Sequence, residues 1–256
     1  GFSQVKGLDF EETFAPTARL TSVRMLVQLS VQLGHTIHQM DVQSAYLNAP
    51  IDHTIYVEQP QGFTKTSRNG QKLFMKLNKS LYGLKQSGRM WNALLHKFLL
   101  SLGFKNILID SCVYVRNVNG SIIILILWVD DILISSSRLE DIYQVKQSLS
   151  NKFKMKDMGK LKYFLGIEFE YHGEAIRMTQ AKYVNKLLCR FGMENCNPKA
   201  IPIDSSANRN YDSQSPELDD PTLFREIVGS LIYLMSCTRP DLCYSVTRLS
   251  QKLSKP

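Results

Sequence analysis

Ile122 to Ser135 reads IIILILWVDDILIS: an eight-residue apolar run, Ile122 to Val129, meets Asp130-Asp131 and continues as Ile132-Leu133-Ile134. A membrane helix needs about 20 apolar residues, so this run predicts buried strands on either side of an acidic pair. Ionised carboxylates in such surroundings are costly unless they are paired or hold a metal. Side chains alternate along a strand, so Asp130 and Asp131 point to opposite faces unless a tight turn intervenes. A two-residue turn at the pair brings both to one edge of a sheet. For an isolated Asp-Asp, a plain turn with no further role is the simpler reading.

A second carboxylate changes that reading. Thr36 to Val42 (TIHQMDV) alternates apolar and polar residues and predicts a strand delivering Asp41 near its end. Nucleotidyl transfer uses two divalent ions roughly 3.5–4 Å apart, and carboxylates from neighbouring strands supply hard oxygen ligands for Mg²⁺.

Working outward, Leu20 to Gly34 predicts a helix, with Thr21 or Ser22 as cap and Val23, Leu26, Val27 and Val31 on one face. Thr54 to Glu58 predicts a short strand, and Thr64 to Gln71 an exposed hairpin turn. A helix from about Gln86 to Leu102 carries Trp91, Leu94, Leu95, Phe98, Leu99 and Leu102 on one stripe, which makes Trp91 a core residue. Cys112 to Arg116 and Ser121 to Ser135 predict strands. Ser137 to Glu140 matches a capping box opening a helix to Lys152. Tyr163 to Tyr171 and Ala175 to Met178 predict a hairpin turning at His172-Gly173, and Thr179 to Gly192 a helix. Residues 204–221 (DSSANRNYDSQSPELDDP) are nearly devoid of apolar side chains and predict a linker. Thr222 to Cys237 and Pro240 to Leu253 predict helices. The expected class is α+β, with one domain over 1–203, a linker over 204–221 and partial helical elements over 222–256.

The 256 residues are 44% hydrophobic and 21% charged, the balance of an ordinary globular protein rather than a disordered one. A net charge of +8 suits a polyanionic partner. Five cysteines, an odd number with no CxxC pair, argue against a disulfide framework or zinc site and for a reducing, intracellular setting. No HxxxH or HExxH spacing occurs. The chain opens on Gly1-Phe2-Ser3-Gln4 and closes on Ser254-Lys255-Pro256 inside a polar helical pattern, so both ends are expected to continue into something longer.

Six blocks now fall into place in order. Asp41-Val42-Gln43-Ser44-Ala45-Tyr46-Leu47-Asn48 resembles motif A of reverse transcriptases, and Trp128-Val129-Asp130-Asp131 their [YF]xDD motif C. Ser80-Leu81-Tyr82-Gly83-Leu84-Lys85-Gln86-Ser87, followed by Arg89 and Trp91, resembles the SLYGLKQ…W block of copia-type elements. Glu12-Thr13-Phe14-Ala15-Pro16, Phe164-Leu165-Gly166-Ile167-Glu168 and Thr238-Arg239-Pro240-Asp241 match further blocks. One acidic pair is weak evidence, and six ordered blocks are strong evidence. The chain resembles a Pol polyprotein fragment of a copia-type (Pseudoviridae-like) LTR retrotransposon.

The resemblance implies an RNA-directed DNA polymerase with a right-hand layout: truncated fingers, a palm with an antiparallel sheet, and the start of a helical thumb. It implies two Mg²⁺ ions, with Mn²⁺ as an alternative, held by Asp41 and Asp130, with Asp131 more peripheral and the Val42 carbonyl a further contact. Tyr46 matches the aromatic position that closes the pocket against a ribose 2′-OH. Tyr82, Gly83 and Lys85 fall where motif B lines the templating base and incoming nucleotide. Phe164, Leu165 and Gly166 match the primer grip. Lys156 or Lys154 is a candidate general acid for the pyrophosphate, and a solvated basic face explains the same lysines. Implied partners are RNA and DNA primer–template, dNTPs, and the integrase and ribonuclease H of a parent polyprotein, with no membrane. The implied setting is a cytoplasmic virus-like particle.

Two departures are Trp128 where the family usually has Tyr, and Ala49 where it has Gly. A basic strand that contacts the triphosphate in family members is expected upstream of Gly1, which makes weak incorporation by residues 1–256 alone the expectation. The competing class is a transposon relic or domesticated module that binds nucleic acid without polymerising. Another palm-type polymerase or nuclease is a third reading, disfavoured by the Ser80–Ser87 and Thr238–Asp241 blocks.

Overall fold

The computed structural model describes residues 1–203 and 218–256, which form two compact units, 1–161 and 162–256. That division falls inside the stretch that the sequence reads as one domain to residue 203. Of the expected linker, residues 204–217 lie outside the described residues.

The first unit runs α1 (Leu20–Gln32), β1 (Thr36–Val42), a 3₁₀ turn (Ala45–Asn48), β2 (Tyr56–Glu58), β3 (Phe74–Lys76) and α2 (Ser87–Ser101). It continues with β4 (Lys105–Asn106), β5 (Val113–Val118), β6 (Ser121–Trp128), β7 (Asp131–Ser136), α3 (Leu139–Lys152) and β8 (Met155–Lys160). Six strands make one antiparallel sheet in the order β4-β5-β6-β7-β1-β8, and β2–β3 form a separate ribbon. The class is therefore mixed helix and antiparallel sheet, as expected.

Helices cover both faces of the sheet. On one, Ser30 of α1 shares a hydrogen bond with Ser135 of β7 at 2.8 Å. On the other, the Lys146 ammonium of α3 donates to His38 of β1 at 2.8 Å, and His96 of α2 meets the Tyr114 hydroxyl at 2.7 Å. Burial on both sides explains why β6 and β7 read as unbroken apolar runs without alternation. Leu125, Ile126, Leu127, Ile132, Leu133 and Ile134 are all buried. The interior strands β6, β7 and β1 are covered on both faces in this way.

The expected caps differ. Neither Thr21 nor Ser22 caps α1, whose N-cap is Arg19. Asp110, 91 residues away, accepts from the Arg19 N–H at 2.9 Å and the Ser22 hydroxyl at 2.7 Å. It also accepts from the Cys112 N–H at 3.0 Å. Burial opposes ionisation, yet these donors hold Asp110 below the usual carboxylate range. The capping box at Ser137 does not form: Arg138 is the N-cap of α3, without a side-chain cap bond. The Ser136 hydroxyl instead donates to Asp141 in the first turn. The sequence does not announce strand β8, since Lys154 and Lys156 suit a general acid or a solvated basic face equally well. It lies at the sheet edge, where backbone pairing suffices and Lys is favoured.

The second unit holds β9 (Tyr163–Phe164), β10 (Ile167–His172), β11 (Ala175–Thr179), α4 (Ala181–Arg190), α5 (Thr222–Cys237), a 3₁₀ turn (Pro240–Leu242) and α6 (Cys243–Ser250). Its sheet order is β11-β10-β9. The expected single strand Tyr163–Tyr171 is broken by a turn at Leu165-Gly166, and the β10–β11 turn sits at Gly173-Glu174, one residue later than expected. Among the described residues no helix is long and apolar enough to cross a membrane.

Candidate active site

Strand β1 carries Asp41 one residue from its end, and β7 begins at Asp131; the two are register partners. Trp128 pairs with Asp131, so the two-residue turn of the β6–β7 hairpin is Val129-Asp130. The sequence places the turn on Asp130-Asp131, and the structure shifts it by one. In the observed register the Val42 N–H reaches the Asp130 carbonyl at 2.8 Å, continuing the β1–β7 pairing past the strand end. Asp131 thereby lands opposite Asp41 rather than beyond it.

Directly opposed residues share a sheet face. Lys156 pairs with Asp41 on the other side of β1, so Lys156, Asp41, Asp131 and Trp128 form one row across β8, β1, β7 and β6. Asp130 stands beside the row in the turn. Lys156 and Lys154 are exposed, and the Lys154 carbonyl accepts from the Gln43 N–H at 2.9 Å. The donors of this row are carboxylate oxygens, with no imidazole or thiolate among them. Among the described residues no three His, Cys, Asp or Glu side chains converge as a ready-made metal cage. Oxygen donors from the protein, completed by oxygens from a substrate, are how Mg²⁺ is ordinarily held. The donor set fits a hard divalent cation on those terms.

Gln39 is not among the site residues the sequence predicts. It lies two residues before Asp41, on the same face, and its side-chain amide donates to Asp131 Oδ1 at 2.8 Å. The signal available was period two: a polar residue on the face of a known carboxylate. Burial pushes the Asp131 carboxyl up; Gln39 opposes this, while Asp130 and Asp41 add to it. An acid whose folded pKa is raised lowers stability once pH rises through that pKa, because the unfolded chain releases the proton more readily. Asp131→Asn is therefore expected to raise the melting midpoint of the chain by about 2 °C at pH 7. The gain should shrink as pH falls through the ordinary carboxylate range, below which both states are protonated. A thermal melt at pH 7 that moves downward, or a gain that grows in acid, would contradict this electrostatic account.

Tyr46 sits on the 3₁₀ turn that follows Ser44, whose φ of +54° is left-handed. Its ring lies 4.6 Å from the Tyr82 ring, centroid to centroid. Burial first, then the Asp130 carboxylate and Tyr82, holds its phenol above the usual tyrosine value. The two tyrosine rings thus meet beside the carboxylate turn. Gly83 has φ +95°, a conformation that by itself calls for glycine. The Lys85 N–H donates to Gln4 Oε1 at 2.8 Å, and its ammonium lies 5.1 Å from the Phe10 ring centre. Its contacts are thus with the first ten residues of the chain. Val42 is buried, its N–H on Asp130.

Phe164, Leu165 and Gly166 belong to the second unit. They form the β9–β10 turn, with φ +49° at Leu165 and +74° at Gly166. The Tyr233 hydroxyl of α5 donates to the Leu165 carbonyl, and the same hydroxyl fills the space a side chain at Gly166 would need.

The family described as reverse transcriptase (RNA-dependent DNA polymerase) matches residues 1–205. The chain is 38% identical over all 256 residues to the retrovirus-related Pol polyproteins from transposons RE1 and RE2 of Arabidopsis thaliana, spanning 17% of each. It is 35% identical to that from transposon TNT 1-94 of Nicotiana tabacum, with the whole chain covered and 20% of the relative. The chain thus spans a fifth or less of the length of these relatives. The copia-type resemblance carried by the six ordered blocks is borne out. With two of its carboxylates paired across β1 and β7 and the third in the adjoining turn, the chain belongs to the reverse transcriptase (RNA-dependent DNA polymerase) family.

Proposed function

We propose that the chain performs template-directed DNA synthesis, adding a deoxynucleotide from a dNTP to a primer 3′-OH, with RNA as first template and DNA as second. The observation that carries this is the register pair Asp41–Asp131 with Asp130 in the adjoining turn. The six-stranded sheet is then the palm, and α5 and α6 the start of a thumb. Asp41 and Asp130, with the Val42 carbonyl and a more peripheral Asp131, would hold two Mg²⁺ ions. When bound, these ions neutralise the triphosphate and favour the ionised primer hydroxyl.

The chain's own residues do the rest. Tyr46 closes the sugar pocket, and Tyr82, Gly83 and Lys85 line the base and the incoming nucleotide. The Phe164–Gly166 turn seats the primer end. Lys156, beside Asp41 in the sheet, is the better placed of the two lysines to give a proton to the departing pyrophosphate oxygen. The net charge of +8 favours the polyanionic substrate. Primer and template positioning supplies much of the rate in such a site. In the parent polyprotein the partners are the integrase and ribonuclease H domains.

The test is primer extension by a polypeptide containing this chain, on RNA and on DNA templates. Extension that requires dNTPs and Mg²⁺ and stops with chelator is the expected result. Tight primer–template binding with no extension under any divalent ion would replace the polymerase with a binding module.

A further inference from the structure

Trp91 is 1% exposed and carries one polar atom into the core. Its indole N–H donates to the Val129 carbonyl at 2.6 Å. Val129 has φ +56°, the left-handed region that a β-branched residue resists. Such a conformation persists only when its surroundings hold it. The ring of Trp91 is itself held edge-on by Phe153, centroids 5.1 Å apart. A cavity of about 40 Å³, lined by Tyr46, Gly88, Trp91, Leu127 and Val129 among others, adjoins the turn, so packing alone does not immobilise it there. Two donors therefore pin the turn. Trp91 of α2 takes the carbonyl of Val129, and the backbone of Val42 on β1 takes that of Asp130.

We propose that Trp91 is a positioning residue whose indole N–H holds the Val129-Asp130 turn, and so sets Asp130 and Asp131 against Asp41. Its consequence for catalysis rests on the polymerase reading above; its hold on the turn does not. A buried indole with no partner would leave its N–H unsatisfied, and a freed Val129 carbonyl would lose its place equally, so each group locks the other.

The experiment removes the N–H and keeps the ring. Trp91→Phe is compared with replacement of Trp91 by β-(3-benzothienyl)alanine, which keeps the indole outline with sulfur in place of N–H. Amide hydrogen exchange is followed across the chain, and Mn²⁺ is titrated by electron paramagnetic resonance. Exchange at Asp131 and Ile132, the ladder amides beside the turn, should rise about fivefold or more while β5 and α3 are unchanged. Mn²⁺ affinity should fall about fivefold, as when a supporting partner of a metal ligand is lost. In an extending polypeptide, kcat should fall with KM for dNTP nearly constant. Unchanged exchange at the turn in the benzothienyl protein overturns the proposal. So does a rise spread over the whole unit, which would make Trp91 a core residue only. If Trp91→Phe does not fold, the benzothienyl protein decides. If the unaltered chain binds Mn²⁺ no better than Asp41→Asn while the turn-local exchange response holds, the metal reading fails and the positioning role stands.

Discussion

Asp130→Asn is expected to lower the primer-extension rate by about a thousandfold or more, roughly 4 kcal/mol of transition-state stabilisation. Primer–template Kd should stay within about twofold, because phosphate contacts and not carboxylates carry duplex affinity. The substitution is nearly isosteric, and the bond from the Val42 N–H goes to the Asp130 backbone carbonyl, so the turn keeps its anchor. What is lost is a full negative charge where, on the proposed reading, a divalent cation is held. The measurement is single-turnover extension beside a binding titration. Near-full activity would remove Asp130 from the metal site, and a parallel loss of binding would mark the change as structural. Asp41→Asn should behave alike, since Asp41 stands between Asp131 and Lys156 in the same row.

What could be read in advance followed from local signals. The run Ile122 to Ser135 announces two buried strands because apolar side chains cover both faces, and Asp41 announces itself by breaking an apolar strand end. The same double covering hid the turn position. With apolar residues on both faces, a one-residue slip leaves the hydrophobic pattern unchanged, so nothing in the pattern separates Val129-Asp130 from Asp130-Asp131. Strand β8 was hidden for the opposite reason, since an edge strand made of Met155-Lys156-Asp157-Met158-Gly159-Lys160 has no apolar stripe to detect. The remaining misses are long-range hydrogen bonds. Gln39 and Asp131 are 92 residues apart, Trp91 and Val129 38, and Arg19 and Asp110 91. A side chain's partner across such distances is set by the tertiary fold. Trp91 read correctly as core, and only its nitrogen carried the further information.

Tyr46→Val is expected to raise the ratio of ribonucleotide to deoxyribonucleotide incorporation by about tenfold or more, roughly 1.4 kcal/mol or more of lost discrimination. The ring lies five residues past Asp41, on the 3₁₀ turn that leaves β1, and is braced by Tyr82 at 4.6 Å. On the proposed reading, a 2′-OH on the incoming sugar meets this ring as a steric conflict and not as a missing hydrogen bond. Shrinking the side chain relieves that conflict for the ribonucleotide. It also removes packing from the deoxyribose, so dNTP efficiency should fall somewhat while rNTP efficiency rises. Tyr46→Phe separates the ring from its hydroxyl: with the ring kept, discrimination should stay near the unaltered level, although the phenol near Asp130 is gone. Competition assays with paired rNTP and dNTP on one template measure the ratio directly. A parallel fall for both nucleotide classes in Tyr46→Val would show that the ring serves the core beside Gly88 and Trp91. The sugar-gate role would then pass from Tyr46 to another side of the pocket.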